Sequence, residues 1–93
     1  MRYASARGFE KALKRVSGTQ QLDIRRHVDA FVRGMEARQI PPGLGLTRLA
    51  EDLWEFRSGL AIRVLITMQG GTVTFLFAGN HDEVRRFRKH FRP

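Results

Sequence analysis

The apolar residues of this chain change their spacing once, and that change sets the class of fold. From Phe9 to Met35 they recur at three- and four-residue intervals, and from Leu53 to Phe77 at intervals of two. The first spacing belongs to helices and the second to strands. Phe9, Leu13 and Val16, with Ala12 beside them, form one helical stripe, which Ser17-Gly18 ends. Ile24, Val28, Phe31, Val32 and Met35 form a second stripe, with Thr19 as its expected N-cap. The short connection predicts an antiparallel helix pair. Gln39-Ile40-Pro41-Pro42-Gly43-Leu44-Gly45 breaks the helix and reads as a connector within one domain spanning residues 1–93.

Three strands are expected after it. Leu53–Ser58 places Trp54 and Phe56 on one face, and Ala61–Met68 places Ile62, Val64, Ile66 and Met68 there. Thr72–Ala78 adds Val73, Phe75 and Phe77, and Gly79-Asn80 closes the run. Gln69-Gly70-Gly71 suits a tight hairpin, because glycine accepts positive φ. Residues 1–7 read as an edge strand. Residues from Asp82 to Phe91 read as a helix that makes its apolar contacts through Val84 and Phe87 or Phe91. The order is (β)ααβββα, an α+β fold with an antiparallel sheet covered on one face by the helix pair.

Composition limits what such a fold does. At 93 residues and 42% apolar content, the chain supports one modest core. A chain near this size buries roughly 60–65% of its unfolded surface. That excludes a two-domain enzyme with a large cofactor cleft, and no cofactor is expected. With no cysteine, a disulfide scaffold, a cysteine zinc site and a thiol nucleophile are all excluded. The absence also fits a reducing, cytoplasmic setting. No apolar run is long enough to span a membrane, and Met1–Arg7 leads into no apolar segment of the secretory kind. The net charge is +8, and 14 of the 17 basic residues are arginine. Arginine offers a planar fork that matches phosphate and carboxylate oxygens. A compact domain this basic implies a polyanionic partner, either nucleic acid or an acidic protein.

The sheet face turned away from the helix pair is expected to carry the chemistry. It holds Leu53, Glu55 and Arg57; Ala61, Arg63, Leu65 and Thr67; and Thr72, Thr74, Leu76 and Ala78. Arg57 and Arg63 thus project from adjacent strands on the same side. His81 follows the end of the last strand, and Arg85, Arg86, Arg88, Lys89 and Arg92 follow it. Arginines on a sheet face beside a histidine and a basic helix make a phosphate-binding surface. The bland alternative is solvated strand arginines, with Glu55 neutralising Arg57. Trp54 reads as a core anchor, and His27 and His90 read as surface residues. An imidazole titrates close to neutral pH, which makes His81 the proton-transfer candidate. No second ligand cluster accompanies His81-Asp82, so no metal site is expected.

The C-terminal half resembles a known family. Leu49-Ala50-Glu51-Asp52-Leu53-Trp54-Glu55-Phe56-Arg57, followed by Arg63-Val64-Leu65, resembles the tryptophan-to-arginine block of RelE/ParE-superfamily toxins. Phe77-Ala78-Gly79-Asn80-His81-Asp82-Glu83-Val84 resembles the closing strand of some members. The order of elements is similar along nearly the whole chain. The resemblance implies a toxin of a type II toxin–antitoxin pair, held by a cognate antitoxin whose toxin-binding segment is often acidic. RelE-like members are ribosome-dependent, metal-independent messenger-RNA endonucleases. ParE-like members inhibit DNA gyrase without being enzymes. A basic nucleic-acid-binding domain with a decayed catalytic site is a third expectation.

In the RelE-like case the resemblance makes Arg63 and Arg57 the phosphate stabilisers and His81 the acid/base. Glu55 is a second proton-transfer candidate, because one imidazole does not easily serve both ends of the cleaved bond. Arg85, Arg86, Arg88 and Lys89 are the expected RNA contacts. The sequence also departs from the family pattern. Leu53 and Glu55 stand where some members carry lysine, and Arg85 or Phe87 stands where many ribonuclease members carry tyrosine.

Overall fold

We describe residues 1–91 of a computed structural model of the chain. Strand β1 (Arg2–Ser5) leads into helices α1 (Arg7–Arg15) and α2 (Gly18–Ala37). A 3-10 turn, Pro42–Leu44, lies in the expected connector and precedes β2 (Thr47–Arg48), a two-residue strand the sequence did not announce. Strands β3 (Leu53–Ser58), β4 (Ile62–Gln69) and β5 (Thr72–Gly79) follow, and helix α3 (His81–His90) ends the described chain. Arg92, expected on the basic surface beside His81, lies outside the described residues.

The sheet runs β1-β5-β4-β3-β2. It is mixed rather than antiparallel, because β1 lies parallel to β5 with Arg2 opposite Thr72 and Ser5 opposite Phe75. Two helices and three strands separate β1 from its neighbour in sequence, so no hairpin turn dictates its direction. The β4–β5 hairpin is the expected tight one. Gln69 pairs with Thr72 across Gly70 and Gly71, whose φ values of 55° and 80° require residues without a Cβ penalty.

Helices α1 and α2 cover one face of the sheet. Phe9, Ala12, Leu13, Ile24 and Phe31 close over Phe56, Ile62, Val64, Ile66, Val73 and Phe75. Phe31 stacks on Phe56 with centroids 4.8 Å apart, and both are fully buried. The N-cap of α2 is Ser17 rather than Thr19. Its side chain accepts from the Gln20 backbone N–H, and the Gln20 side chain accepts in return from the Ser17 N–H. This reciprocal pairing satisfies two helix-end donors, which a cap at Thr19 would leave open.

The opposite face is covered by α3. Leu53, Leu65 and Leu76 are buried there with Val84, and Phe87 and Phe91 pack beside them. The strict two-residue alternation fails once, in β5. Leu65 pairs with Phe77 while Ile66 pairs with Phe75, which leaves Leu76 as an additional residue in a bulge. Beyond it the faces exchange. Ala78 joins the helix-pair core, whereas Phe77 stacks on Phe87 of α3 at 4.7 Å. The expectation that Phe77 would point with Val73 and Phe75, and Ala78 away from them, is corrected by that one inserted residue.

Candidate functional site: an arginine pair beside the start of α3

The β3–β4 register makes Arg57 and Arg63 direct Cα partners. Arg63 is in turn the partner of Gly79 at the end of β5. Asn80 and His81 follow at once, so the arginine pair and the N-terminus of α3 lie at one end of the sheet. The corner between β5 and α3 is tight. A Cβ on Gly79 would lie 2.9 Å from the Phe77 ring and 3.0 Å from the Glu83 Cβ. Only glycine lets the strand turn into the helix here.

Asn80 fixes the start of that helix. Its side chain accepts from the Glu83 backbone N–H at 2.8 Å, and Glu83 Oε1 accepts from the Asn80 N–H at 2.9 Å. His81 is therefore the first residue of α3 and is exposed. Replacing Asn80 by alanine should cost about 1 kcal/mol of stability, read as a lowered urea midpoint with unchanged slope. A midpoint equal to that of the wild type would mean that α3 does not depend on the cap.

Charge is distributed unevenly over the pair. Arg63 Nη1 donates to Glu55 Oε2 at 3.1 Å, and the two side chains are only 24% and 15% exposed. The expectation that Glu55 would neutralise Arg57 is thus corrected. Glu55 sits directly opposite Leu65, diagonal to Arg63, so its carboxylate reaches the neighbouring strand instead. Arg57 is exposed. Its Cδ would lie 3.6 Å from a Cβ on Gly45, so the connector before β2 flanks it.

The basic residues of α3 divide by helical phase. Arg85 is exposed and lies 3.4 Å from Asp82 within its own helix. Arg86 and His90 border a shallow pocket with Phe77, Phe87 and Phe91. Lys89 is exposed. Arg88 instead lines a cleft of about 530 Å³ with Asp52, Leu53, Thr67, Leu76 and Phe91. That cleft lies at the hairpin end of the sheet, away from the arginine pair. The four residues expected to act together thus face at least two separate surfaces.

One residue differs from its expected setting. His27 is not a free surface side chain: its Nδ1 lies 2.8 Å from Oγ of the buried Ser58, joining α2 to the end of β3. Trp54, half-buried, packs against the helix-pair core as expected, with the Arg48 guanidinium 5.8 Å over its ring. Tyr3, the only tyrosine, donates its hydroxyl to Glu36 at 2.8 Å, and desolvation, reinforced by Glu36, raises its pKa. It packs against the helix-pair core and is no substitute for an aromatic hydroxyl beside the arginines. Among the described residues no group of three or more His, Asp or Glu side chains is placed to hold a metal ion. No helix among them is long and apolar enough to cross a membrane.

No family model matches the sequence, and no curated protein does. Solved structures do match the fold. The RelB-RelE antitoxin-toxin complex of Methanococcus jannaschii contains a chain 17% identical over 90% of this one and 96% of its own length, with a TM-score of 0.70. The E. coli DinJ-YafQ complex gives a TM-score of 0.73 at 11% identity, over 90% of this chain and 98% of that one. The RelE-RelB complex of Pyrococcus horikoshii gives 0.66 at 16% identity, over 85% and 92%. The mixed five-stranded sheet, the helix pair on one face and the terminal helix on the other are therefore the fold found in RelE and YafQ toxin complexes.

Proposed function

We propose that this chain is the toxin of a type II toxin–antitoxin pair and acts as a metal-independent, ribosome-dependent messenger-RNA endonuclease. The observation that supports this most is the direct opposition of Arg57 and Arg63 beside the first residue of α3. Two like charges placed face to face on neighbouring strands repel each other; Glu55 is engaged with Arg63, so exposed Arg57 remains to take an anion. A phosphodiester is such an anion. The fold shared with RelE and YafQ toxins supports the same reading.

In the proposed reaction the ribose 2′-oxygen attacks the adjacent phosphorus. The bond from phosphorus to the 5′-oxygen breaks, leaving a 2′,3′-cyclic phosphate and a 5′-hydroxyl. The arginines stabilise the charge that builds on the phosphorane oxygens. His81, exposed on the first turn of α3, exchanges the proton at one end of the displacement. Water serves the other end, because the Glu55 carboxylate is already engaged by Arg63.

The antitoxin partner belongs to the same proposal. A toxin with net charge +8 is matched by an acidic segment. The cytoplasm, where ribosomes are, is the proposed location.

Inducible expression in bacteria, followed by primer extension on an abundant transcript, tests the function. Growth arrest with new ribosome-dependent cuts is expected. His81→Ala should lower the cleavage rate by about 10²–10⁴-fold, the usual contribution of a positioned acid or base. Arrest with intact transcripts and DNA damage would overturn the nuclease reading in favour of gyrase inhibition. No arrest at all would indicate a domain that binds nucleic acid without cutting it.

A further inference from the structure

We propose that Glu55 is a positioning residue of the arginine site, not a proton-transfer group, and that its hydrogen bond to Arg63 strengthens RNA binding although its charge opposes the RNA. This rests on the proposed function, since the ligand is the phosphodiester of a single-stranded RNA.

The argument starts from the opposed pair. Arg57 and Arg63 are Cα partners, and Arg57 is exposed while the Arg63 side chain is mostly covered. Without a third group, two guanidinium ions at this separation turn away from each other. Each then adopts many rotamers, and an incoming phosphate must order both. Glu55 removes that freedom from one of them. Its side chain, 15% exposed, takes a single hydrogen bond from Nη1 of Arg63. A guanidinium has five N–H donors in a rigid plane. One bond at Nη1 narrows the orientations of that plane, and among the described residues the other nitrogens of Arg63 make no side-chain hydrogen bond. The same carboxylate offsets the repulsion from Arg57. Glu55 is therefore anchored to Arg63 in the unliganded protein, and the fork is held before RNA arrives.

General electrostatics predicts the opposite sign. Removing one negative charge from a basic face should tighten binding to a polyanion and steepen its dependence on salt. Positioning predicts weaker binding, with a shallower dependence, because Arg63 no longer makes its contact reliably.

The test measures binding of a short single-stranded RNA, with 2′-O-methyl sugars to prevent cleavage, to the full chain across a salt series. Glu55→Ala should bind about tenfold more weakly, as expected for loss of a charge-assisted contact. Its log–log salt slope should fall by about 0.7, one phosphate contact on a single strand. Glu55→Gln keeps an acceptor for Arg63 and should retain most of the affinity. In an Arg63→Ala background, Glu55→Ala should have no further effect. Unchanged or tighter binding by Glu55→Ala, with Arg63→Ala still weakened, would overturn the positioning role and leave the arginine site standing. An additional loss in the Arg63→Ala background would also overturn it, because Glu55 would then act on the fold and not through Arg63. If Arg57→Ala and Arg63→Ala both bind as the wild type does, the site itself is wrong and the positioning role falls with it.

Discussion

Arg63→Ala should reduce cleavage of ribosome-bound messenger RNA by about 10²–10³-fold, the loss seen when one preorganised donor to a developing oxyanion is removed. The size follows from where Arg63 sits. Its side chain is only 24% exposed and is held by Glu55, so its contact with a phosphorane needs little reorganisation. Exposed Arg57 has more freedom and should matter less. Arg63→Lys should recover only part of the loss, because a point charge replaces a planar fork. The measurement is a single-turnover rate on a programmed ribosome complex, with the thermal midpoint of each variant beside it. A rate within a few-fold of the wild type, at an unchanged midpoint, would remove Arg63 from the reaction. A large midpoint drop for Arg63→Ala would show instead that the orphaned Glu55 carboxylate unsettles the sheet.

Phe56→Ala should cost about 3–5 kcal/mol of stability, the range for truncating a buried aromatic. Phe56 is fully buried, stacks on Phe31 at 4.8 Å, and lies where α2 packs on β3. A chain of this size has roughly 5–15 kcal/mol in total, so the variant should be close to unfolding at growth temperature. Each kcal/mol moves the midpoint of so small a domain by about 4–8 °C, so thermal unfolding followed by circular dichroism reads the loss directly. A midpoint lowered by only a few degrees would mean that the core between α2 and the sheet is looser than the stacked rings indicate. Phe56 is a neighbour of Arg57 in β3, so reduced activity in this variant carries no information about the site.

Much of the site was legible because strand alternation is local. Arg57 and Arg63 were assigned to one face from their phase relative to Phe56, Ile62 and Val64, and the register makes them direct partners. The phase held until the bulge at Leu76, where one extra residue exchanged the faces of Phe77 and Ala78. No signal in the composition of β5 marks that insertion. It is a property of the β4–β5 pairing. The α3 face was underestimated for a related reason. Leu53, Leu65 and Leu76 fall on the face expected to carry the chemistry, and their spacing does not say what covers them. With α3 docked through Val84, Phe87 and Phe91, they become a second core. His27 was missed because its partner, Ser58, lies 31 residues away.

The sequence by itself determined the order of the longer elements, the two helical stripes and the Gly-Gly hairpin. Each of these depends on residues within a few positions of one another, where backbone preference and side-chain spacing are decisive. The tertiary structure decided that β1 runs parallel to β5, that α3 closes the second face, and that Glu55 pairs with Arg63 instead of Arg57. These depend on which strand lies beside which, and on a register that no local spacing carries. The candidate site is of both kinds: its arginines come from local alternation, and their arrangement around one carboxylate comes from the packing of the sheet.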